Sequence, residues 1–409
     1  MHYVIIGNST AAIGAVEGIR SIDEQGKITL VTSEVYPTYS RPLISYLLQG
    51  KTTEENMRYR DASFYSNNKV EVMAGVTATK VQTATKQVFL DNGKSISYDK
   101  LLVATGSSPF VPSYSGIDTV EHKYTFMSLD DAKGLSKVID ESKHVLILGA
   151  GLIGLKCAEG ILARVKQVTV VNRSPKVLSS VLDDAGAKRV ENHLKEQGVE
   201  LVLASTIERF EGNTAVLSNG STIGFDVLVI ALSATPNTAL LEGIAEIDKG
   251  ILINAESKTS AVDIYAAGDC TQGLDCSSNQ SKVMAVLPNA AMQGECAGIN
   301  MAGGEKTFAK ALPLNAVGFF GLHVLTAGTY DGDEYLHEES TSYKRLFYQD
   351  NALCGFILIG EVEKAGIYTS LIREKTPLDT LDFALMCEKP GLMAFTKEKR
   401  TKVLGGTVE

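Results

Sequence analysis

The chain has 409 residues, of which 44% are hydrophobic and 21% charged, and its formal net charge is −9. That length is too great for one ordinary core and predicts two or three globular domains. The acidic balance excludes the concentrated basic surface of a nucleic-acid binder, and no apolar run reaches the roughly 20 residues of a membrane span, so neither partner is expected.

The opening "HYVIIG" carries no charged leader or cleavage site, which points to a cytoplasmic protein. Its "YVIIG" (3–7) reads as a buried parallel strand ending at a glycine, and "NSTAAIGAVEGIR" after it is compatible with a helix. In the dinucleotide fingerprint GxGxxG/A the first glycine makes a tight turn and the second admits a pyrophosphate. The third lets helix and strand pack closely. Gly7, Ser9 and Ala12 occupy those places, so two of the three glycines are replaced and this match alone is weak. The Ser9 hydroxyl can still donate to a phosphate. "KITLVTS" (27–33) predicts the next strand and ends beside Glu34, a candidate for ribose hydroxyls.

The stretch "LDNGKSIS" followed by "YDKLLVATGSSP" (98–109) recurs as "LSNGSTIG" and "FDVLVIALSATP" (225–236), at a constant offset of 127 residues. In each copy "NG" reads as a hairpin turn and the apolar run as a central strand. Between the copies, "HVLILGAGLIGLKCAEGIL" (144–162) fills all three fingerprint places, with Gly149, Gly151 and Gly154 between an apolar strand and a helix. The following strand "QVTVV" (167–171) ends at Asn172, where an NAD site normally has a carboxylate, and Arg173 comes next. That combination tolerates a ribose 2′-phosphate, so NADH and NADPH both stay open; Arg173 as a solvated surface charge is the competing reading. Each fingerprint is followed by one copy of the repeat, so we expect an α/β protein with two tandem Rossmann-like domains. The six cysteines (157, 270, 276, 296, 354 and 387) form no CxxC pair and no metal-ligand spacing, and read as free, packed thiols with no metal site.

With "IYAAGDC" (264–270) added, the motifs "GNSTAA", "LLVATGSSP", "GAGLIG" and "ALSATPN" resemble, in order, the two-dinucleotide flavoprotein reductases of the pyridine nucleotide–disulphide oxidoreductase superfamily. The resemblance covers about the first 310 residues. It implies FAD in the first fold, with Gly268 and Asp269 at the ribitol and Thr105 and Gly106 against the same cofactor. It implies a nicotinamide dinucleotide in the second fold, at Gly149, Gly151, Leu152, Ile153 and Gly154. It also implies an FAD domain over 1–115 and 244–311, an NAD(P) domain over 116–243, and a smaller C-terminal α+β interface domain over 312–409. Within that last stretch "YKRLFY" (343–348) and "CGFILIG" (354–360) look like strands and "EKAGIYTSLIR" (363–373) like a helix. Phe319 and Phe320 read as core, and His323 as a packed or interface histidine.

Disulphide-reducing members carry CxxxxC after "R-P", and the peroxide- and oxygen-reducing branch a single cysteine near the same place. Here "YSRPLISYLLQGK" (39–51) has none. The run is similar instead to reductases of rubredoxin and other small iron–sulphur proteins and to the flavin domain of NADH nitrite reductases. The implied activity is that of an FAD-dependent NAD(P)H oxidoreductase in which hydride passes between nicotinamide and flavin N5. Its electron-transfer partner would be rubredoxin or a ferredoxin-like subunit of a larger redox enzyme. An NADH oxidase reducing oxygen and a flavin-binding scaffold or sensor are the alternatives, and a homo-oligomer or a subunit of a redox complex are both compatible. Arg41 can reach the FAD pyrophosphate or the acceptor, with Pro42 fixing the backbone beside it. Pro288 starts a helix whose positive end the family aims at the flavin. Oxygenase-coupled ferredoxin reductases pair a lysine after "R-P" with a glutamate in "IGLE". This chain has Tyr46 and Lys156 near those places. We therefore expect the Lys156 ammonium to face flavin N5, against the plainer reading of a solvent-facing helix lysine.

Overall fold

The computed structural model describes residues 1–396 and residue 400; residues 397–399 and 401–409, the end of the expected C-terminal domain, lie outside the described residues. One parallel sheet has the strand order Ile264–Ala266, Lys100–Val103, His2–Ile6, Lys27–Thr32, Val70–Ala74. A second has the order Glu200–Val202, Gln167–Val171, His144–Leu148, Val227–Ile230, Lys123–Thr125. Val4, Ile5, Leu101, Leu146 and Leu228 are fully buried. Sheets covered on both faces need apolar side chains on both, which is why these strands read as unbroken runs. In each sheet the apolar run of the repeat lies directly beside the fingerprint strand. The "NG" turns close antiparallel hairpins, Gln87–Leu90 with Ser95–Ser97 and Thr214–Leu217 with Thr222–Gly224. Gly93 and Gly220 hold the left-handed φ values of 79° and 81° that such turns require.

The two copies also touch. Ser107–Pro109 pairs antiparallel with Ala234–Pro236 in the register Ser107 with Pro236, Ser108 with Thr235 and Pro109 with Ala234. Asn237 fastens this ribbon: its Nδ2 donates to the Thr105 carbonyl at 2.9 Å, and the Thr105 hydroxyl donates to the Asn237 carbonyl at 2.7 Å.

Nine α-helices occur among the described residues: α1 (Thr10–Arg20), α2 (Ile44–Leu48), α3 (Phe64–Asn67), α4 (Leu129–Val138), α5 (Leu152–Ile161), α6 (Asp184–Glu196), α7 (Leu287–Met301), α8 (Ala365–Arg373) and α9 (Phe383–Glu388). Helices α1 and α7 meet backbone to backbone. A Cβ on Gly294 would lie 1.9 Å from the Ala11 carbonyl oxygen, and one on Gly14 would lie 2.3 Å from that of Ala291. None of the helices among the described residues is long and apolar enough to cross a membrane.

The C-terminal sheet is antiparallel, ordered Leu314–Phe319, Leu322–Gly328, Ala352–Ile359, Tyr343–Gln349, Asp333–Glu338. The two strands and the helix expected there are present. The hairpin Leu314–Gly328 and the edge strand Asp333–Glu338 were not anticipated. Phe319 is buried, whereas His323 is exposed, so of its two readings, packed or interface, the packed one is corrected. This sheet is tied to the second fold by side chains. Asp183, the N-cap of α6, accepts from Tyr343 Oη and Arg345 Nη1, both at 2.5 Å, and Arg189 Nη2 donates to Glu338 at 2.8 Å.

Candidate functional site

Both fingerprint loops leave the end of a strand and enter a helix through one sharp turn. Gly7 (φ 114°) and Gly149 (φ 108°) make that turn, in a backbone region that side chains rarely adopt. A Cβ there would also strike the neighbouring repeat strand, at 2.0 Å from the Ala104 carbonyl oxygen and 2.4 Å from that of Ala231. Ser9 and Gly151 are the N-caps of α1 and α5. The Ser9 side chain makes no capping bond, and a Cβ on Gly151 would meet nothing within 4 Å. Backbone donors at both helix starts therefore face open space, as a bound phosphate needs. Gly154 packs against the turn itself, with a Cβ placed only 2.0 Å from the Gly149 carbonyl oxygen; Ala12, fully buried, stands in that place in the first fold.

A cavity of about 360 Å³ runs from the first loop along the repeat, with Gly7, Ser9, Glu34, Thr105, Gly106 and Asp269 on its wall, next to Gly268. A second, more apolar cavity of about 500 Å³ has Pro42, Tyr46, Leu152, Ile153, Lys156 and Pro288 on its wall. Arg41, Met127, Asp269 and Leu287 line both, so the two form one trough, more polar at the α1 end and more apolar at the end lined by Leu152, Ile153 and Pro288. Pro288 is in the first turn of α7, where its missing N–H costs nothing. This trough suits an extended dinucleotide flavin. Gly106 (φ 66°) has nothing within 4 Å of where its Cβ would be, leaving room for close approach to its backbone. Burial pushes the Asp269 carboxyl up, against the opposing pull of Arg41 and Ser107. Among the described residues no cysteine lines either cavity. Cys157 and Cys270 are fully buried with thiols pushed up by burial, and Cys270 donates to the Ala267 carbonyl at 3.4 Å, so packing is their role.

Four expected residues behave differently from the simplest reading. Glu34 lines the trough, but its carboxylate already accepts from the Tyr39 hydroxyl at 2.9 Å and pairs with Arg41. Burial alone would lower the Arg41 guanidinium; Tyr39 and Glu34 outweigh it and raise it. Asn172 lines neither cavity: its Oδ1 accepts from Ala150 N, and its Nδ2 donates to the carbonyls of Ser174 and Lys176, all at 3.2 Å. It shapes the loop, and its amide protons are spent there. Arg173 beside it is exposed. Lys156 is neither solvent-facing nor an isolated cation. Its ammonium pairs with Glu159, donates to the Gly318 carbonyl at 3.1 Å and lies 4.7 Å from the centroid of the Tyr46 ring. Glu159 was missed, although its i,i+3 spacing from Lys156 on α5 was a readable signal. Asn237, the last residue of the motif "ALSATPN", was given no role of its own; it follows the second copy of the repeat, where Phe110 follows the first.

Comparison with known proteins agrees with this geometry. The family described as "Pyridine nucleotide-disulphide oxidoreductase" matches residues 1–294, and that described as "Rubredoxin NAD+ reductase C-terminal domain" matches residues 313–376. The chain is 34% identical over 393 residues to the NADH-dependent phenylglyoxylate dehydrogenase subunit epsilon of Aromatoleum evansii, covering 93% of each. It is 31% identical over 277 residues to the rubredoxin-NAD(+) reductase of Pseudomonas putida, covering 66% of this chain and 72% of that one. It superposes on a chain of the covalent putidaredoxin reductase–putidaredoxin complex with a TM-score of 0.88, at 21% identity, covering 95% and 96% of the two, a likeness of fold.

Proposed function

Because the chain belongs to the pyridine nucleotide-disulphide oxidoreductase family and is an FAD-dependent NAD(P)H oxidoreductase, we propose that it exchanges electrons between a nicotinamide dinucleotide and an iron–sulphur protein. The partner we favour is an iron–sulphur subunit of a larger redox enzyme. The support for that choice is full-length similarity to a subunit of an NADH-dependent dehydrogenase. A rubredoxin is the second reading, favoured by the match of residues 313–376. The observation that carries the proposal is a trough that runs from the first cradle to the start of α5, with no cysteine on its walls among the described residues. Electrons that enter there have no thiol to rest on, which speaks against the disulphide and cysteine-peroxide chemistries and favours an acceptor outside the chain.

We assign residues 1–115 and 244–311 to the FAD unit, 116–243 to the nicotinamide unit and the stretch from 312 onward to an interface unit. Bound FAD would supply a ring that takes a hydride from nicotinamide and releases electrons singly. The amides at the start of α1, the Ser9 hydroxyl and Gly7 would bind its pyrophosphate, and Glu34 its ribose. Asp269, Thr105 and Gly106 would orient the chain between the two rings. Leu152, Ile153 and Pro42 would exclude water where the bound rings meet, and the first turn of α7 at Pro288 brings a positive helix end to the same wall. The nicotinamide pyrophosphate would rest on Gly149, Gly151 and Gly154, with Arg173 available to a 2′-phosphate.

The test is anaerobic mixing of the flavin-loaded protein with NADH and, separately, NADPH, followed by reoxidation with a ferredoxin, a rubredoxin or oxygen. Rapid bleaching and reoxidation by an iron–sulphur protein are expected. Reoxidation fastest with oxygen would favour the oxidase alternative, and absence of bleaching the scaffold.

A further inference from the structure

Behind the apolar end of the trough lies a charged cluster that joins three parts of the chain. Tyr46 on α2, Lys156 on α5 and Gly318 in the C-terminal sheet all line the cavity, whereas Glu159, also on α5, does not. Glu159 stands on the far side of Lys156 from the cavity. Its carboxylate is fixed at both ends: one oxygen pairs with the Lys156 ammonium and the other accepts from Phe320 N at 2.8 Å. The side chains of Lys156 and Glu159 are only 15% and 10% exposed. Solvent therefore screens the pair less than it would an exposed one, so a change in either charge is felt in the cavity. The Tyr46 ring holds the ammonium from a further side by its negative face.

We propose that Glu159 is a positioning residue that sets how much positive charge Lys156 presents to the flavin, so that these two side chains shift the flavin potential in opposite directions. The inference rests on the functional reading above, in which the trough holds the flavin. A cation at the cavity wall favours the more negative, reduced form of a bound redox ring. A carboxylate just behind it cancels part of that field. The pair is thus a graded source of charge rather than a structural clamp alone, although its bonds to Gly318 and Phe320 also hold the C-terminal sheet against α5.

The test is the midpoint potential of the bound FAD, read by dye-equilibrated photoreduction, which does not depend on turnover. Glu159→Gln keeps the shape and an acceptor for Phe320 N, so a purely structural clamp would survive it. The potential should rise in Glu159→Gln and fall in Lys156→Met. Each shift should be about 30 mV, which corresponds to a tenfold change in a two-electron equilibrium. The double variant should return close to the wild-type value, and Glu159→Asp and Lys156→Arg should stay near it. If Glu159→Gln does not fold, the difference between Lys156→Met and the double variant reports the carboxylate alone. Single variants that leave the potential unchanged, or move it in the same direction, would overturn the inference. Should wild type take up FAD and be bleached by NADH while the variants match its potential, only the role of Glu159 fails. Should wild type take up no FAD, the functional reading falls with it.

Discussion

Where the second cradle carries Gly151 and Gly154, the first carries Ser9 and Ala12. At the third place the second fold leaves no room, because a Cβ on Gly154 would sit 2.0 Å from a carbonyl oxygen, yet the first fold accommodates a fully buried alanine. The first fold takes its close approach on another face of the helix. There Gly14 and Gly18 of α1 meet Gly294 and Gly298 of α7, with Cβ positions between 1.9 and 2.4 Å from opposing carbonyl oxygens. A degenerate fingerprint therefore marks a change in which neighbour the helix presses against.

The sharpest way to break this comparison is Gly294→Val. A branched side chain cannot enter the α1–α7 contact, and we expect a loss of about 3 kcal/mol, seen as a lower urea midpoint and poor flavin retention. A normal midpoint would mean that the two helices can part freely. Gly154→Ala probes the corresponding place in the second fold. It should cost about 2 kcal/mol and weaken coenzyme binding at least about tenfold in titrations, while flavin content stays unchanged.

A third prediction concerns how the folds are held to the C-terminal sheet, which grips the second one through Asp183. Burial pushes that carboxyl up, but hydrogen bonds from Tyr343 and Arg345 prevail and hold it below its ordinary value of 3.8. Its stabilisation is therefore complete above that pH and is lost as pH falls through the lower folded value. Asp183→Asn should cost about 2 kcal/mol at pH 7, and the difference from wild type should shrink as unfolding is followed into acid. A constant gap down to pH 2 would contradict this. Smaller effects belong to the first cradle. Ala12→Gly should cost about 1 kcal/mol through helix propensity. Ser9→Ala should leave the melting temperature in place, because its hydroxyl caps nothing. It should nonetheless weaken FAD about fivefold, near 1 kcal/mol for one lost hydrogen bond.

The parts of the molecule legible in the sequence are those where one physical constraint dominates. Strands buried on both faces must be apolar throughout, and a phosphate cradle must have small residues at fixed spacing, so the three central strands of each sheet and both loops could be read, whereas the outer strands Val70–Ala74, Ile264–Ala266, Lys123–Thr125 and Glu200–Val202 were not. The hairpin Leu314–Gly328 was not, because its turn places Phe320, at φ 49°, before Gly321, at φ 89°, and a bulky residue there carries no turn signal. Asn172 was assigned by its position at a strand end, but whether its amide faces a ribose or its own loop depends on contacts that spacing does not encode. Lys156 was singled out for its charge, while the carboxylate that answers it, one turn further along the same helix, went unread.

The ribbon between Ser107–Pro109 and Ala234–Pro236 has a consequence of its own. Shifted by the 127-residue repeat, Ser108 and Thr235 are the same position, and they lie opposite each other, with their flanking positions exchanged around them. This is the isologous pairing that two separate subunits would make about a dyad, here enclosed within one polypeptide. A local pseudo-twofold axis thus passes between Ser108 and Thr235, and any twist imposed on one arm of that crossing is met by the same demand, turned through half a circle, on the other.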